Sequence, residues 1–286
     1  CQSLMNAVNF TGAKPVLADI DSDSEKNGFN VSARTIKPLV TKRTKAIIVP
    51  HMFGFPVNIP EIRKIAKNIP IIEDCAQAFG GAFKGKKLGT FGDVTVLSFY
   101  ATKMISTGQG GMVLTDSKKL SDRIRDLTKY DGREKYDVAY NYDLTDIQSA
   151  LGLSQLAQFK NLLKKRQRIS EKYDKAFSNL GIILPPKIKG SVPYRYIIRT
   201  KTEEEREDLE AKLKQKGIFA ERPVFRPLNR YLGINPIEYP NAEEVHMTAL
   251  TIPLYPALTD EDIKYVESSV LECLKNLSLR SKDEKK

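Results

Sequence analysis

The sequence predicts an α/β protein with a three-layer arrangement, in which a mostly parallel sheet carries helices on both faces and a smaller α+β domain follows. In the first half of the chain, short runs of β-branched and other apolar residues alternate with segments of helical periodicity. These runs are apolar almost throughout, which is typical of parallel strands that are buried on both faces. In the second half, a long helical segment and a Pro-Pro pair precede a shorter series of strands and helices.

Five strands are predicted in the first half, at residues 15–20, 46–51, 70–75, 94–99 and 111–115. Helices are expected between them at residues 31–40 and 59–68. No segment long enough for a crossover helix separates the fourth strand from the fifth, so we expect that pair to be antiparallel. An amphipathic helix is predicted at the very start, where Cys1 stands in place of the usual methionine. We therefore expect that an N-terminal portion is missing.

The second half begins with a long predicted helix over residues 145–179. Further elements are a strand, a helix, an extended segment and a last helix, at 194–200, 203–216, 218–225 and 260–276. We place the boundary between the two predicted domains at 180/181, which gives domains 1–180 and 181–286. The residues 278–286 are basic and are predicted to form a disordered tail.

Composition limits the classes of partner. The net charge is +11, and Lys160–Lys175 alone holds seven basic and two acidic residues. Such a run is either a solvated helix face or an attraction for an anionic partner. No aromatic-interleaved basic patch and no apolar run of about 18 residues is present, so neither nucleic acid nor a membrane is an expected partner. Three scattered cysteines and two histidines favour a reducing, cytoplasmic location and no metal site.

A phosphate-loop pattern, G-x-x-x-x-G-K, occurs at Gly80–Lys86. Lys87 stands where that loop needs the Ser or Thr that binds magnesium, and the residues that follow do not open a helix. We predict a surface hairpin here.

Polar residues follow the predicted strands at their carboxyl ends, the edge at which parallel sheets bind ligands. Asp74 could hold a cation, a metal or a protonated heterocycle, or it could cap a helix. Ser98 could bind a phosphate, and Lys103 could be a nucleophile, although a surface lysine commonly closes a strand. Together, an aspartate, a serine and a lysine are the parts of a pyridoxal phosphate site.

The motifs EDCAQA, LGTFGD, SFYATK and GQGG, in that order, resemble the DegT/StrS family of pyridoxal-phosphate sugar aminotransferases. The similarity continues through residues 140–156, 222–233 and 246–263 and covers essentially the whole chain. The resemblance implies a fold type I pyridoxal-phosphate transferase, with its large domain in residues 1–180. It also implies transfer of an amino group from glutamate or a similar donor to a nucleotide-linked keto-sugar, in amino-sugar and polysaccharide biosynthesis.

The resemblance assigns cofactor roles to matching residues. Lys103 is similar to the Schiff-base lysine that shuttles the proton, and Asp74 to the partner of the pyridine nitrogen. Ala76 would lie against one face of the ring, and Gln77 would hydrogen-bond the ring hydroxyl group.

The phosphate of pyridoxal 5'-phosphate would be held by residues from two subunits. Ser98 matches a residue that holds the phosphate within one subunit. Asn141 matches a residue that reaches the cofactor of the neighbouring subunit. The resemblance therefore implies a homodimer with shared active sites.

Four residues are candidate substrate contacts: His51, Arg222, Arg226 and Asn229. The two arginines suit an anionic substrate, but both lie beside prolines and could be ordinary surface residues. His51 ends a strand near the site, and packing within a loop is its alternative role. Asn229 stands where the family often has histidine, and an amide cannot titrate.

A departure from the family pattern keeps other functions open. The Gly-Thr/Ser segment with which the family binds the cofactor phosphate has no counterpart in this chain. A non-catalytic, regulatory or inactive homologue is therefore an alternative to the aminotransferase. Some relatives are sugar dehydratases in which histidine replaces the lysine, and the presence of Lys103 argues against that activity.

Overall fold

The computed structural model describes residues 1–23 and 28–283, with side-chain surroundings as far as Lys275. The chain divides into two compact units. The first, called the sheet unit, comprises Val40–Asn161 and Lys189–Val192. The second, called the mixed unit, comprises Cys1–Leu39, Leu162–Ile188 and Pro193–Lys286. This division differs from the predicted boundary at 180/181, because it cuts the long helix and groups the N-terminal residues with the C-terminal ones.

The described elements follow the predicted alternation. The strands are β1 Ile47–Pro50, β2 Ile71–Asp74, β3 Ala82–Phe83, β4 Lys86–Lys87, β5 Val94–Ser98, β6 Gly111–Leu114, β7 Tyr196–Arg199 and β8 Ala249–Ile252. The α-helices are α1 Gln2–Phe10, α2 Ala33–Ile36, α3 Ile59–Ala66, α4 Lys118–Thr128, α5 Asp146–Phe177, α6 Glu203–Gln215, α7 Leu228–Tyr231, α8 Pro240–Thr248 and α9 Asp260–Asp283. Short 3-10 turns lie at Lys37–Leu39, Met52–Gly54 and Pro236–Glu238. None of these helices has the length and apolar character needed to cross a membrane.

The sheet unit contains a four-stranded sheet in the order β1-β2-β5-β6. Strands β1, β2 and β5 are parallel, and β6 runs antiparallel to β5. The mostly parallel sheet and its antiparallel last pair are thereby confirmed. The register sets Asp74 of β2 opposite Pro50 of β1 and Val96 of β5. The carboxyl ends of the three parallel strands consequently lie at one edge.

Helix α3 shows why its sequence is helical and buried on one side. Ile59, Ile62 and Ala66 are spaced by three and four residues and are almost completely buried. The side chain of Asn58 caps the helix by accepting from the backbone N–H of Glu61 at 3.3 Å. Burial of each isoleucine side chain contributes about 1.5–3 kcal/mol to stability.

The mixed unit has its own core, built around the antiparallel pair β7 and β8. Both strands are buried along their whole length. Helices α5, α6 and α9 supply the rest of the core, with Tyr173, Phe177, Leu209, Leu213, Ile263 and Val270. The predicted α+β character of this part of the chain agrees with these elements.

The basic run at Lys160–Lys175 is largely explained by packing within the mixed unit. Arg166 is buried and donates to the carbonyl oxygens of Tyr194 and Leu254 at 3.1 and 3.0 Å. Arg168 and Lys172 both form ion pairs with Asp260, at 2.5 and 2.7 Å. These three cations therefore hold α5 to other segments of the same unit.

Three predicted elements take a different form. Residues 15–20 form no strand; this segment instead contacts the start of α8 through the side-chain carboxylate of Asp19, which accepts from the backbone N–H groups of Asn241 and Ala242. The helix predicted over 31–40 is a short α2 followed by a 3-10 turn that includes Pro38. Helix α9 continues to Asp283, where the sequence predicts disorder from residue 278. That stretch contains no Gly or Pro to end a helix, and residues 284–286 of the predicted tail lie outside the described residues.

The hairpin predicted at Gly80–Lys87 is confirmed as β3 and β4, which pair antiparallel. Lys84 and Gly85 at its turn both have positive φ, 47° and 82°.

Candidate active site

Asp74 ends β2 at the ligand-binding edge of the sheet. Its Oδ1 accepts a hydrogen bond from the backbone N–H of Ala76 at 2.9 Å, which turns the chain away from the strand. Burial raises the pKa of Asp74, whereas the Ala76 N–H and the positive charge of Lys103 oppose that rise. The structure therefore brings this carboxylate within electrostatic reach of the predicted lysine.

Lys103 lies in the loop that follows β5. The loop folds back on the strand, since the backbone N–H of Lys103 donates to the carbonyl oxygen of Tyr100 at 2.9 Å, and that of Thr107 to Phe99 at 2.9 Å. Ser98, the last residue of β5, accepts from the backbone N–H of Tyr100 at 3.4 Å. Both Ser98 and Lys103 are partly exposed at the same end of the sheet as Asp74.

Ala76 and Gln77 lie in the turn after β2. The Oε1 of Gln77 accepts from the backbone N–H of Phe53 at 2.7 Å, so its amide NH₂ group is oriented away from that contact. Phe53 has φ of 55°, a left-handed conformation that is rare for a bulky residue. Ala76 is partly exposed. The turn after β1 is thus tied to the turn after β2.

Behind Asp74, on the opposite face of β2, Glu73 is completely buried. Its carboxylate accepts from the backbone N–H groups of Gly89, Phe91 and Gly92 at 2.6, 3.0 and 3.0 Å. Burial alone would raise the pKa of Glu73, but the hydrogen bonds from His51 and from these backbone groups outweigh it and lower the pKa. The sequence analysis assigns no role to Glu73. The feature that could have identified it is an acidic residue inside a buried strand, followed by a glycine-rich turn.

His51 belongs to this buried group and not to an open pocket. Its Nε2 lies 2.9 Å from Oε1 of Glu73, and its Nδ1 accepts from the backbone N–H of Val57 at 2.9 Å. The side chain has no exposed surface. In this structure both ring nitrogens are therefore engaged within the protein, and a substrate could not reach the side chain. This position agrees with the alternative role of His51, which is packing within a loop.

The other candidate substrate contacts all lie in the mixed unit. Arg222 forms ion pairs with Glu203 at 2.5 Å and with Glu207 at 3.5 Å. Asn229 is buried, and its Nδ2 donates to Glu243 at 2.7 Å. Both side chains are thus held by carboxylates of their own unit.

Arg226 is arranged differently from these two. It is exposed, lies over the ring of Tyr231 at 5.4 Å and donates to the carbonyl oxygen of Arg230 at 3.3 Å. Unlike Arg222, Arg226 forms no hydrogen bond to a carboxylate among the described residues.

Comparison with known proteins decides the family. Residues 2–271 match the model of the DegT/DnrJ/EryC1/StrS aminotransferase family. The chain belongs to this family. It is 35% identical over 280 residues to GDP-perosamine synthase of Escherichia coli O157:H7, covering 94% of this chain and 75% of that protein. It is 30% identical over 302 residues to the spore coat polysaccharide biosynthesis protein SpsC of Bacillus subtilis, covering 96% and 77%.

A solved structure agrees with this membership. The putative sugar aminotransferase Spr1654 from Streptococcus pneumoniae, in its PLP form, superimposes with a TM-score of 0.87 at 25% identity. The match covers 96% of this chain and 79% of that one. This aminotransferase is therefore a pyridoxal-phosphate-dependent transaminase with the fold of the sugar aminotransferases.

The residues present in the aminotransferase fit pyridoxal phosphate. Asp74 has one oxygen bound to Ala76, and the other is suited to a ring N–H. The amide of Gln77 can donate to a ring hydroxyl group, and Ser98 brings a hydroxyl to the strand end. Lys103 supplies an amino group within electrostatic range of the carboxylate. These four residues therefore offer groups that are chemically suited to the ring nitrogen, the ring hydroxyl, the phosphate and the aldehyde of the cofactor.

Asn141 lies in the sheet unit on an exposed segment just before α5. Its neighbours Tyr140 and Tyr142 stack with ring centroids 5.1 Å apart. The apolar residues Ile147 and Leu153, which follow on α5, are 84% and 68% exposed. The role of Asn141 at a neighbouring subunit's cofactor stays a prediction.

His51, Glu73 and Cys75 also place one potential metal ligand each within 4.8 Å of one another, all buried. Burial and the charges of Glu73 and Asp74 raise the pKa of the Cys75 thiol. Within this cluster, the imidazole of His51 and the thiol of Cys75 both contact Oε1 of Glu73, at 2.9 and 3.9 Å.

Proposed function

We propose that this aminotransferase moves an amino group from glutamate, or a similar amino acid, to a keto-sugar carried on a nucleotide diphosphate. Membership in a family of sugar aminotransferases supports this, as does the similarity to a protein named GDP-perosamine synthase. The observation that carries the proposal is that the Asp74 carboxylate, at the carboxyl end of a parallel strand, is within electrostatic range of Lys103.

Pyridoxal phosphate supplies, when bound, an electron-accepting ring that stabilises negative charge on the carbon next to the transferred nitrogen. The residues of the chain prepare this ring. Asp74 keeps a proton on the ring nitrogen, because a carboxylate in a partly dry site favours a cationic partner. Gln77 orients the ring through its hydroxyl group, Ala76 packs against one face, and Ser98 holds the phosphate.

Lys103 performs the proton transfers. In the first half of the reaction its amino group takes a proton from the α-carbon of the amino donor. In the second half it gives a proton to the sugar carbon that receives the amino group. A short loop tied to the end of β5 fixes the lysine at that place. The same residue serves both halves of the reaction, since the second half reverses the first.

The substrate and subunit arrangements complete the proposal. Arg226 is the better candidate for an anionic substrate group, because Arg222 is engaged by Glu203. Asn141 of the partner subunit would complete the phosphate site. The proposed state is therefore a homodimer with shared active sites.

A test of this function uses Lys103→Ala and a matched lysine variant, Lys84→Ala, at the exposed turn of the hairpin β3–β4. We expect wild type and Lys84→Ala to bind pyridoxal phosphate, to show its absorbance band, and to form a borohydride-stable adduct on Lys103. Addition of glutamate should change that band, and a nucleotide-linked keto-sugar should then restore it. Lys103→Ala should form no adduct and lose at least about 10³-fold in turnover, because it lacks the proton-transfer group.

An adduct of unchanged yield in Lys103→Ala would show that the lysine assignment is wrong. Absence of any spectral change in wild type with every amino donor tried would instead support the non-catalytic alternative.

A further inference from the structure

Glu73 is the most highly coordinated side chain at the end of β2, and the reaction itself makes no use of it. Five groups approach its two carboxylate oxygens. They are the backbone N–H groups of Gly89, Phe91 and Gly92, the imidazole of His51, and the more distant thiol of Cys75 at 3.9 Å. The side chain is fully buried.

Only an ionised carboxylate satisfies this set of partners. An amide of the same shape would place an NH₂ group against N–H donors. Hydrogen bonds from several donors are what hold a buried carboxylate in its charged form, and the lowered pKa of Glu73 agrees with that state.

The contacts of Glu73 join three segments of the sheet unit. His51 follows β1, and its backbone N–H also donates to the carbonyl oxygen of Asp74 at 3.0 Å. The turn Gly89–Gly92 precedes β5, and the hydroxyl of Thr95 on β5 donates to the carbonyl oxygen of Gly89 at 2.8 Å. The carboxylate is therefore the common acceptor for the end of β1 and the start of β5, on either side of Asp74.

The strand geometry links this anchor to the cofactor edge. Glu73 and Asp74 are consecutive in β2, so their side chains point to opposite faces. A rotation or a slip of β2 that releases Glu73 from the turn must also move Asp74. No bond between the two side chains is needed for this link.

We propose that Glu73 is a positioning residue for Asp74: through the 89–92 turn and His51 it fixes the place at which the Asp74 carboxylate meets the cofactor ring nitrogen. This inference rests on the proposed role of Asp74 as the partner of that nitrogen. Glu73 itself touches neither the cofactor nor the substrate.

The test is a double-mutant cycle in the full chain, with pyridoxal phosphate as the probe. Dissociation constants are measured by absorbance titration for wild type, Glu73→Gln, Asp74→Asn and the double variant. We expect Glu73→Gln to weaken binding about tenfold, as loss of a supporting hydrogen-bond acceptor does behind other bound groups. In the Asp74→Asn background the same substitution should have little further effect, because the two act through one interaction.

Asp93, which precedes β5 and contacts the other end of β2, provides a matched control. Its carboxylate accepts from the backbone N–H of Ile71, at the start of β2, at 2.7 Å and pairs with Arg63 at 2.6 Å. Asp93→Asn should lower the thermal midpoint. Its effect on cofactor binding should be small and should be the same with Asp74 or Asn at position 74.

A second readout separates positioning from loosening of the fold. The pH at which the absorbance of the bound cofactor changes should shift in Glu73→Gln toward its value in Asp74→Asn. It should stay unchanged in Asp93→Asn. If Glu73→Gln does not fold, His51→Leu removes one donor to the same carboxylate and enters the cycle in its place.

The outcomes are distinguishable. Factors that multiply in the double variant, or an unshifted pH transition in Glu73→Gln, would overturn the role of Glu73 while the function stands. Unchanged cofactor binding in Asp74→Asn would contradict the proposed site itself, and this inference with it.

Discussion

At the scale of single residues, neighbours in sequence have opposite tasks. Asp74 faces the cofactor edge, whereas Glu73, one position earlier, is sealed behind it. Strand alternation predicts that the two point apart, but nothing local says which of them is buried. Arg222 and Arg226 show the same limit, since one is paired to Glu203 and the other is exposed.

Gly54 gives a residue-scale prediction for the turn that Gln77 contacts. It has φ of 92°, and a Cβ there would lie 1.9 Å from the carbonyl oxygen of Val192. We expect Gly54→Ala to destabilise the protein by at least about 3 kcal/mol, because backbone must move as well as adopt strain. Chemical denaturation measures this loss.

Gly85→Ala is the control. Its φ of 82° is equally strained, but nothing lies within 4 Å of the added Cβ. It should cost only about 1–2 kcal/mol. Equal losses of stability for the two variants would show that the contact between the added Cβ and Val192 contributes nothing to the destabilisation.

At the scale of elements, the strand ends and turns of the sheet unit position the side chains of the proposed cofactor site. The carboxyl ends of β2 and β5 present Asp74 and the Ser98–Lys103 loop, and the turn after β1 holds Gln77. In the mixed unit, Glu243 on α8 binds both Asn229 and Arg230 of α7. The short α7 is thus held by α8 and not by its own length.

Helix α8 yields a prediction on pH. His246 is buried, and its Nδ1 has no hydrogen-bond partner among the described residues. Burial, together with the charges of Arg222 and Arg230, lowers the pKa of His246 to about 4. The unfolded chain, with a histidine pKa of about 6.5, therefore binds more protons between these values, and stability falls as the pH falls through this window.

We expect a loss of up to about 3 kcal/mol between pH 6.5 and 4 from this residue. Denaturation at several pH values measures it. His246→Gln should flatten the profile between pH 6.5 and 5, above the range in which most carboxylates titrate. An unchanged slope in that variant would place the proton uptake elsewhere.

At the scale of the whole molecule, the chain divides into two units, and residues that the sequence singles out occur in each of them. The sheet unit holds every residue proposed to bind the cofactor. Arg222, Arg226 and Asn229 belong to the mixed unit. The exposed apolar side chains beside Asn141, on the segment before α5 and on α5 itself, suit a surface that is covered in an assembly.

Shared sites in a homodimer can be tested by complementation. Lys103→Ala and Asn141→Ala are expected to be nearly inactive alone. If Asn141 of the partner subunit completes each site, unfolding and refolding an equal mixture should restore about a quarter of wild-type activity, since half of the dimers are mixed and each has one intact site. Lys103→Ala mixed with Asp74→Asn is the control and should restore no activity, because both residues belong to the same subunit's site and each site of a mixed dimer then lacks one of them. No recovery in the mixture of Lys103→Ala with Asn141→Ala, while wild type refolded in the same way regains its activity, would contradict the shared-site arrangement.

The sequence by itself determined the parallel sheet, the polar residues at its strand ends and the membership in the aminotransferase family. These depend on local periodicity and on motifs whose order along the chain is visible without coordinates. Only the tertiary structure decided which side chains already have partners: Glu73 binds a turn 16–19 residues later, His51 joins it 22 residues away, and Asn229 is taken by Glu243. Such pairings follow from the packing of distant segments, which no local pattern encodes, and they determine which polar groups remain available for chemistry.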